Sequence, residues 1–198
     1  TAGSGVPNSI KSAFYKQSIK VHNQVLKLQY NLYSRTQDGL ILFGDYNPAG
    51  RLPITFPKHE SQLPLYYNHK PTGRGDDYLN LSGKPLFPFG FGLSYSSFEY
   101  SDIKLNKSKI NPTENTSLSL KVTNTGYYDG DEVVQLYIKD EFASVARPVM
   151  ELKGFKRIHL KKGETKEVEF LITPKLLSIL NKNMETIVEP GNFRLMVG

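Results

Sequence analysis

A mainly β chain ending in an antiparallel two-sheet sandwich is the fold class this sequence predicts, and three observations carry it. From residue 97 onward short apolar–polar alternations recur, as in Leu118, Leu120 and Val122 against Ser117, Ser119, Lys121 and Thr123, the period-2 pattern of half-buried strands. Turn signals such as Asp129-Gly130, Lys162-Gly163 and Pro190-Gly191 separate these runs. Between residues 57 and 94 prolines and glycines recur every few positions among Tyr66, Tyr67, Phe87, Phe89 and Phe91. That segment is too broken for helix and too aromatic for a flexible linker, so it should be an ordered loop lying against another surface.

The elements follow from local chemistry. Residues 9–35 contain no acid, and Ile10, Phe14, Ile19, Val25, Leu26 and Leu28 half fit a helical stripe, so a helix is expected there. Leu40 to Phe43 is a short apolar run that meets a turn cluster of Gly44, Asp45, Asn47, Pro48 and Gly50. Gly and Asn tolerate positive φ and Pro fixes φ, which predicts a rigid turn into an extended segment at Leu52 to Phe56. The sandwich begins with Phe98, Tyr100, Ile103 and Leu105, with a bulge expected at Asp102. Further strands are predicted around Leu118–Val122, Val133–Ile138, Met150–Leu160 and Val168–Ile172. Leu176 to Leu180 reads as a helical turn, and strands at Thr186–Val188 and Phe193–Val197 close the chain. About seven strands in about 100 residues is the count of an immunoglobulin- or fibronectin type III-like sandwich, a size that buries a core without disulfides.

Composition narrows the function. A chain of 198 residues is too short for a complete (β/α)8 barrel of about 250. The absence of Cys excludes disulfide scaffolds, thiolate metal sites and cysteine nucleophiles. No apolar run approaches the roughly 18 residues of a membrane span, so no membrane partner is expected. The net charge of +6 sits mostly in residues 1–98, which hold ten Lys/Arg against five Asp/Glu. No dense basic cluster with interleaved aromatics appears, and a nucleic-acid partner is not expected.

Nothing in the sequence assembles a reaction centre. His22, His59, His69 and His159 lie at least ten residues apart, without metal-site spacing, so neither metal nor cofactor is expected. In Lys58-His59-Glu60 the base and the carboxylate are neighbours that point to opposite faces of an extended chain, a surface-loop arrangement. Asp76-Asp77 fails as a glycosidase pair for the same reason; a calcium contact there is the minor alternative, since no EF-hand-like array of oxygens surrounds it. Gly90-Phe91-Gly92 is too short for a dinucleotide loop, and no Gly-x-Ser-x-Gly elbow occurs. Asn80-Leu-Ser, Asn106-Lys-Ser and Asn115-Thr-Ser are sugar-acceptor sequons that matter only in a secretory pathway.

Longer strings carry more. Leu42-Phe43-Gly44-Asp45-Tyr46-Asn47-Pro48-Ala49-Gly50-Arg51-Leu52-Pro53-Ile54-Thr55-Phe56-Pro57 resembles the end of the α/β sandwich domain of glycoside hydrolase family 3, the family of β-glucosidases and β-xylosidases. The resemblance continues through Leu63-Pro64-Leu65-Tyr66-Tyr67-Asn68-His69-Lys70-Pro71 and Pro85-Leu86-Phe87-Pro88-Phe89-Gly90-Phe91-Gly92-Leu93-Ser94-Tyr95. It resumes at Arg147-Pro148-Val149-Met150-Glu151-Leu152-Lys153-Gly154-Phe155 and Val188-Glu189-Pro190-Gly191, strings similar to the family's fibronectin type III-like domain. It covers roughly residues 37–198 and implies three parts here: an α/β sandwich remnant over 1–57 (atypical over 1–36), an ordered connecting segment over 58–96 and a fibronectin type III-like domain over 97–198.

The resemblance also implies a retaining hydrolase whose nucleophilic Asp lies in a barrel and whose acid/base Glu lies upstream in the α/β sandwich. Neither is carried over to this sequence; Ser101-Asp102-Ile103, the string nearest to the nucleophile motif, falls in a strand and is read as structural. No catalytic residue is therefore assigned, and the chain alone is not expected to hydrolyse glycosides. Its expected partners are the barrel and α/β domain of the parent enzyme and, through them, a β-glycoside or oligosaccharide. Tyr67, Asn68, His69 and Lys70, with Tyr66, are the candidate rim residues, since aromatic faces with amide and ammonium donors suit sugars. Packing against a neighbouring domain accounts for them equally well. Leu32-Tyr33-Ser34-Arg35-Thr36 stands where the family has a Pro-Gly turn, which suggests a truncated or frame-disturbed product. A secreted or periplasmic parent is implied by resemblance alone. The alternative is a stand-alone fibronectin-like binding or adhesion module, against which the family-specific stretch at 40–95 argues.

Overall fold

A computed structural model describes Ile41, residues 46–72, Asp77 and residues 82–198. The chain divides into two compact units, Thr1–Tyr46 and Asn47–Gly198. The expected helix at 9–35, most of the apolar run at 40–43, Asp76 and the Asn80 sequon lie outside the described residues.

Eight strands and one short helix follow the connecting segment: β1 (Phe98–Leu105), β2 (Thr116–Asn124), β3 (Gly130–Asp140), β4 (Glu151–Leu160), β5 (Thr165–Ile172), α1 (Pro174–Leu177), β6 (Ile179–Leu180), β7 (Thr186–Ile187) and β8 (Phe193–Val197). They form two three-stranded antiparallel sheets, ordered β1-β2-β5 and β4-β3-β8, and a separate β6-β7 hairpin.

Alternation decides which side of each strand is buried. Leu118, Leu120 and Val122 of β2, with Val168, Phe170 and Ile172 of β5, face Val134, Leu136 and Ile138 of β3, and Leu160 and Leu177 join the same core. The intervening Ser119, Lys121, Glu167 and Glu169 stay outside the core, as one buried face per sheet requires. The expected bulge is present: Asp102 has φ 51°, and the β1–β2 register slips between Ser101 and Lys104. Asp102 carries an ion pair to Lys121 at 2.7 Å, and Ile103 and Leu105 remain exposed.

The expected helical turn over Leu176–Leu180 is shorter than its apolar spacing suggested. The helix stops at Leu177 because Ser178 turns extended, at φ −69° and ψ 149°. Ile179 and Leu180 then pair with Ile187 and Thr186, giving a strand not anticipated from the sequence.

Candidate functional site

The connecting segment is folded back on itself and then onto the sandwich. Leu52 donates to the Phe91 carbonyl and Gly90 to the Leu52 carbonyl, each at 2.8 Å. Phe56 donates to the Phe87 carbonyl and Leu86 to the Phe56 carbonyl, again at 2.8 Å. Residues 52–56 and 86–91 thus make an antiparallel ribbon that spends most of its backbone polarity internally.

Three polar contacts fasten this ribbon to the sandwich. Arg51 Nη2 lies 2.6 Å from both carboxylate oxygens of Glu132, and that carboxylate also accepts from Tyr100 Oη at 2.7 Å. The Glu132 side chain is only 5% exposed, so its charge requires these partners. Burial, reinforced by the hydrogen bond to Glu132, pushes the Tyr100 phenol far above its ordinary value. Gln135, buried in β3, donates Nε2 to the Gly90 carbonyl at 3.1 Å and accepts from Tyr137 Oη at 2.6 Å. Asn47 accepts from Ser94 Oγ and the Tyr95 amide at 2.8 Å and donates to the Asp129 carbonyl at 3.1 Å.

Glycine supplies the close approach that these contacts need. A Cβ on Gly90, already at φ 80°, would lie 2.4 Å from Gln135 Oε1 and 2.6 Å from Tyr137 Oη. Gly90 is therefore a packing residue.

The loop after the ribbon's first strand carries the rim candidates. Tyr67 stacks on Phe89 with ring centroids 4.0 Å apart and meets Tyr137 edge-on at 6.1 Å. Its hydroxyl accepts from the Leu152 amide at 3.2 Å. The Val149 amide donates to the His69 carbonyl at 2.9 Å, so the loop is tied to the residues that enter β4. Gln62, also buried, ties the loop's start, accepting from the Lys58 amide at 2.6 Å and donating to the Ser82 carbonyl at 3.1 Å.

Between the loop and the entry to β4 lies a cleft of about 1040 Å³. Tyr67, Asn68, His69 and Lys70 all line it, with Thr55 on one wall and Pro148 on another. Tyr67 is spent on stacking, whereas Asn68 and Lys70 are exposed. His59 does not join them: it caps the short 3-10 turn Glu60–Gln62, accepting from the Ser61 amide. Asp77 Oδ1 accepts from the Gly83 amide at 2.9 Å and Ser82 Oγ at 3.2 Å; these bonds, the Gly83 one foremost, hold its carboxyl below the usual range. Among the described residues no group of three or more His, Asp or Glu is placed to hold a metal ion, and no helix is long and apolar enough to cross a membrane.

Sequence reasoning missed Arg51, Glu132, Tyr100 and Gln135. Glu132 was within reach, because it shares the period-2 face of Val134, Leu136 and Ile138. A charge in register with a buried row signals a partner. Nothing in the Pro-Ala-Gly-Arg turn identifies Arg51 as that partner.

Together these features define a class: a fibronectin type III-like sandwich with an ordered, aromatic-rich segment clamped to it. Two family models match, the glycosyl hydrolase family 3 C-terminal domain over residues 36–95 and the fibronectin type III-like domain over residues 132–198. The chain belongs to glycoside hydrolase family 3 and corresponds to a C-terminal portion of it. It is 48% identical over 161 residues to a β-xylosidase of Formosa agariphila and 43% identical over 168 residues to a periplasmic β-glucosidase of Salmonella typhimurium. In both comparisons 80% of this chain aligns with 22% of the relative, so it spans about a fifth of their length. Among solved structures, a β-glucosidase from Erythrobacter marinus superposes with a TM-score of 0.77 at 43% identity, over 80% of this chain and 21% of that one. The glucose complex of a Listeria innocua β-glucosidase superposes with a TM-score of 0.76 at 37% identity, over 80% and 24%.

Proposed function

We propose that this chain is the supporting C-terminal portion of a β-glycosidase that hydrolyses β-glucosides or β-xylosides, and that its role is to buttress the α/β domain. The observation that carries this reading is the Arg51–Glu132–Tyr100 contact. It locks the segment matched to the family 3 C-terminal domain onto the sandwich through a buried charge, as a mechanical brace requires. In this reading residues 1–57 belong to the α/β portion, 58–96 connect, and 97–198 are the brace. The two carboxylates of a retaining mechanism come from the barrel and α/β portions, and the β-glycoside is met through them.

The test is complementation. The purified chain is mixed with the separately expressed remainder of a relative such as the Formosa β-xylosidase, and hydrolysis of chromogenic β-xylosides and β-glucosides is followed. No turnover from either piece and turnover from the mixture is the expected result. Turnover by the chain alone, or a remainder fully active without it, would refute the supporting role.

A further inference from the structure

We infer that the outer edge of β8 is a self-association site, which pairs antiparallel with β8 of a second copy of this chain. β1 and β5 edge one sheet of the sandwich, and β4 and β8 edge the other. Three of these edges carry the features that block strand pairing. β1 has the Asp102 bulge and Lys104, β5 has Lys166, Glu167 and Glu169, and β4 has Lys153, Lys156 and Arg157 beside a register slip. β8 has neither bulge nor proline, and its one charge, Arg194, is held by Glu141 at 2.7 Å.

The hydrogen-bond pattern fixes what this edge presents. Gln135 and Gly198 exchange both amide-to-carbonyl bonds, at 2.8 and 3.1 Å, and the Glu141 amide donates to the Asn192 carbonyl at 3.0 Å. Bonded pairs recur at every second residue, so Met196 and Arg194 also turn their backbone groups toward β3. The N–H and C=O groups of Phe193, Leu195 and Val197 point the other way and have no partner among the described residues.

A second copy related by a twofold axis at Leu195 satisfies all of them. Leu195 exchanges both bonds with its own copy, and Phe193 does the same with Val197 of the second copy on either side. The side chains fit that register. Phe193, Leu195 and Val197 are half-buried against the core, so an aromatic meets a β-branched residue and leucine meets leucine. On the opposite face Arg194 falls against Met196, an apolar cover for its stem, and no like charges oppose. Moving the axis to Arg194 would set two guanidinium groups against each other, which selects Leu195 as the centre. The pairing draws on the fold alone and is independent of the glycosidase reading.

Sedimentation velocity of the full chain from about 1 to 300 μM tests this, with a reversible monomer–dimer equilibrium in about the micromolar range expected. Met196→Lys sets a lysine against Arg194 of each copy and should weaken dimerisation about tenfold. Met196→Glu sets a carboxylate there and should leave the dimer at least as tight as the parent. Thermal midpoints matched to the parent establish that both variants are folded. Hydrogen exchange on the parent needs no variant: the Phe193, Leu195 and Val197 amides should slow as concentration rises. A monomer at every concentration, or a dimer on which the two folded variants act alike, would overturn the self-pairing. So would a monomer that takes up an alternating Thr-Val peptide at β8, which assigns the edge to a foreign strand.

Discussion

Arg51 and Glu132 stand 81 residues apart in sequence and 2.6 Å apart in the fold, where both oxygens of the Glu132 carboxylate face one guanidinium nitrogen. Only 19% of the Arg51 side chain is exposed, so the pair is sheltered from solvent screening. Removing one member leaves a buried charge and costs about 3–5 kcal/mol, whereas replacing both by apolar groups recovers much of that loss. Arg51→Met should therefore lower stability by about 3 kcal/mol, with Arg51→Met/Glu132→Leu closer to the parent than the single variant. Urea unfolding of the four members of the cycle reads the coupling. Strictly additive effects would mean that the two side chains do not act as a pair.

Tyr100 extends the pair to the opposite sheet, and its raised pKa gives the alkaline limb of stability a sign. Burial and the Glu132 carboxylate favour the protonated phenol in the folded state. Its contribution is therefore complete below the ordinary tyrosine value of about 10 and is lost as pH rises above it. At pH 8 Tyr100→Phe should be less stable than the parent by about 1 kcal/mol, for the lost hydrogen bond. The gap should narrow by pH 11, because the phenylalanine has no proton to lose. A gap that stays constant or widens with pH would contradict the assignment.

Gly90 and Gly163 separate conformational strain from close approach. Both have positive φ, at 80° and 75°, but an added Cβ on Gly163 meets nothing within 4 Å. Gly163→Ala should cost about 1 kcal/mol, the left-handed penalty alone. Gly90→Ala carries the same penalty and displaces the Gln135 amide from its bonds to Gly90 and Tyr137. Its cost should exceed that of Gly163→Ala by about 2 kcal/mol, and equal thermal shifts for the two would show that the ribbon packs loosely there.

How much was legible in the sequence depended on whether a feature is local. Leu118, Leu120 and Val122 announce their strand because alternation is a property of neighbours, and Asp102 announces its bulge by interrupting one. Leu176, Leu177, Ile179 and Leu180 misled, since their spacing fits a helix while Ser178 breaks it. The rim residues Tyr67 to Lys70 stood out through their chemistry, yet the cleft needs Pro148 and Val149 from a distant loop. No local pattern reports that meeting.

Asn47 is a second fastener, chemically distinct from the ion pair, and its variants ask whether the ribbon can be released while the sandwich stays folded. Its Oδ1 accepts two hydrogen bonds from Ser94 and Tyr95, while its Nδ2 donates one to the Asp129 carbonyl. Asn47→Asp keeps the acceptor but sets a carboxylate oxygen against that carbonyl, exchanging attraction for repulsion; Asn47→Ala removes all three bonds. Only the Ser94 contact is partly buried and the other two are exposed, so about 1 kcal/mol should be lost in each case. The β2–β3–β5 core, packed through Leu120, Val134 and Val168 rather than through Asn47, should retain its cooperative unfolding. Limited proteolysis should then cut both variants faster within residues 47–95 than the parent, with the fragment 97–198 persisting. If cleavage instead spreads evenly over the chain, ribbon and sandwich unfold as one unit, and Asn47 stabilises the whole rather than the junction.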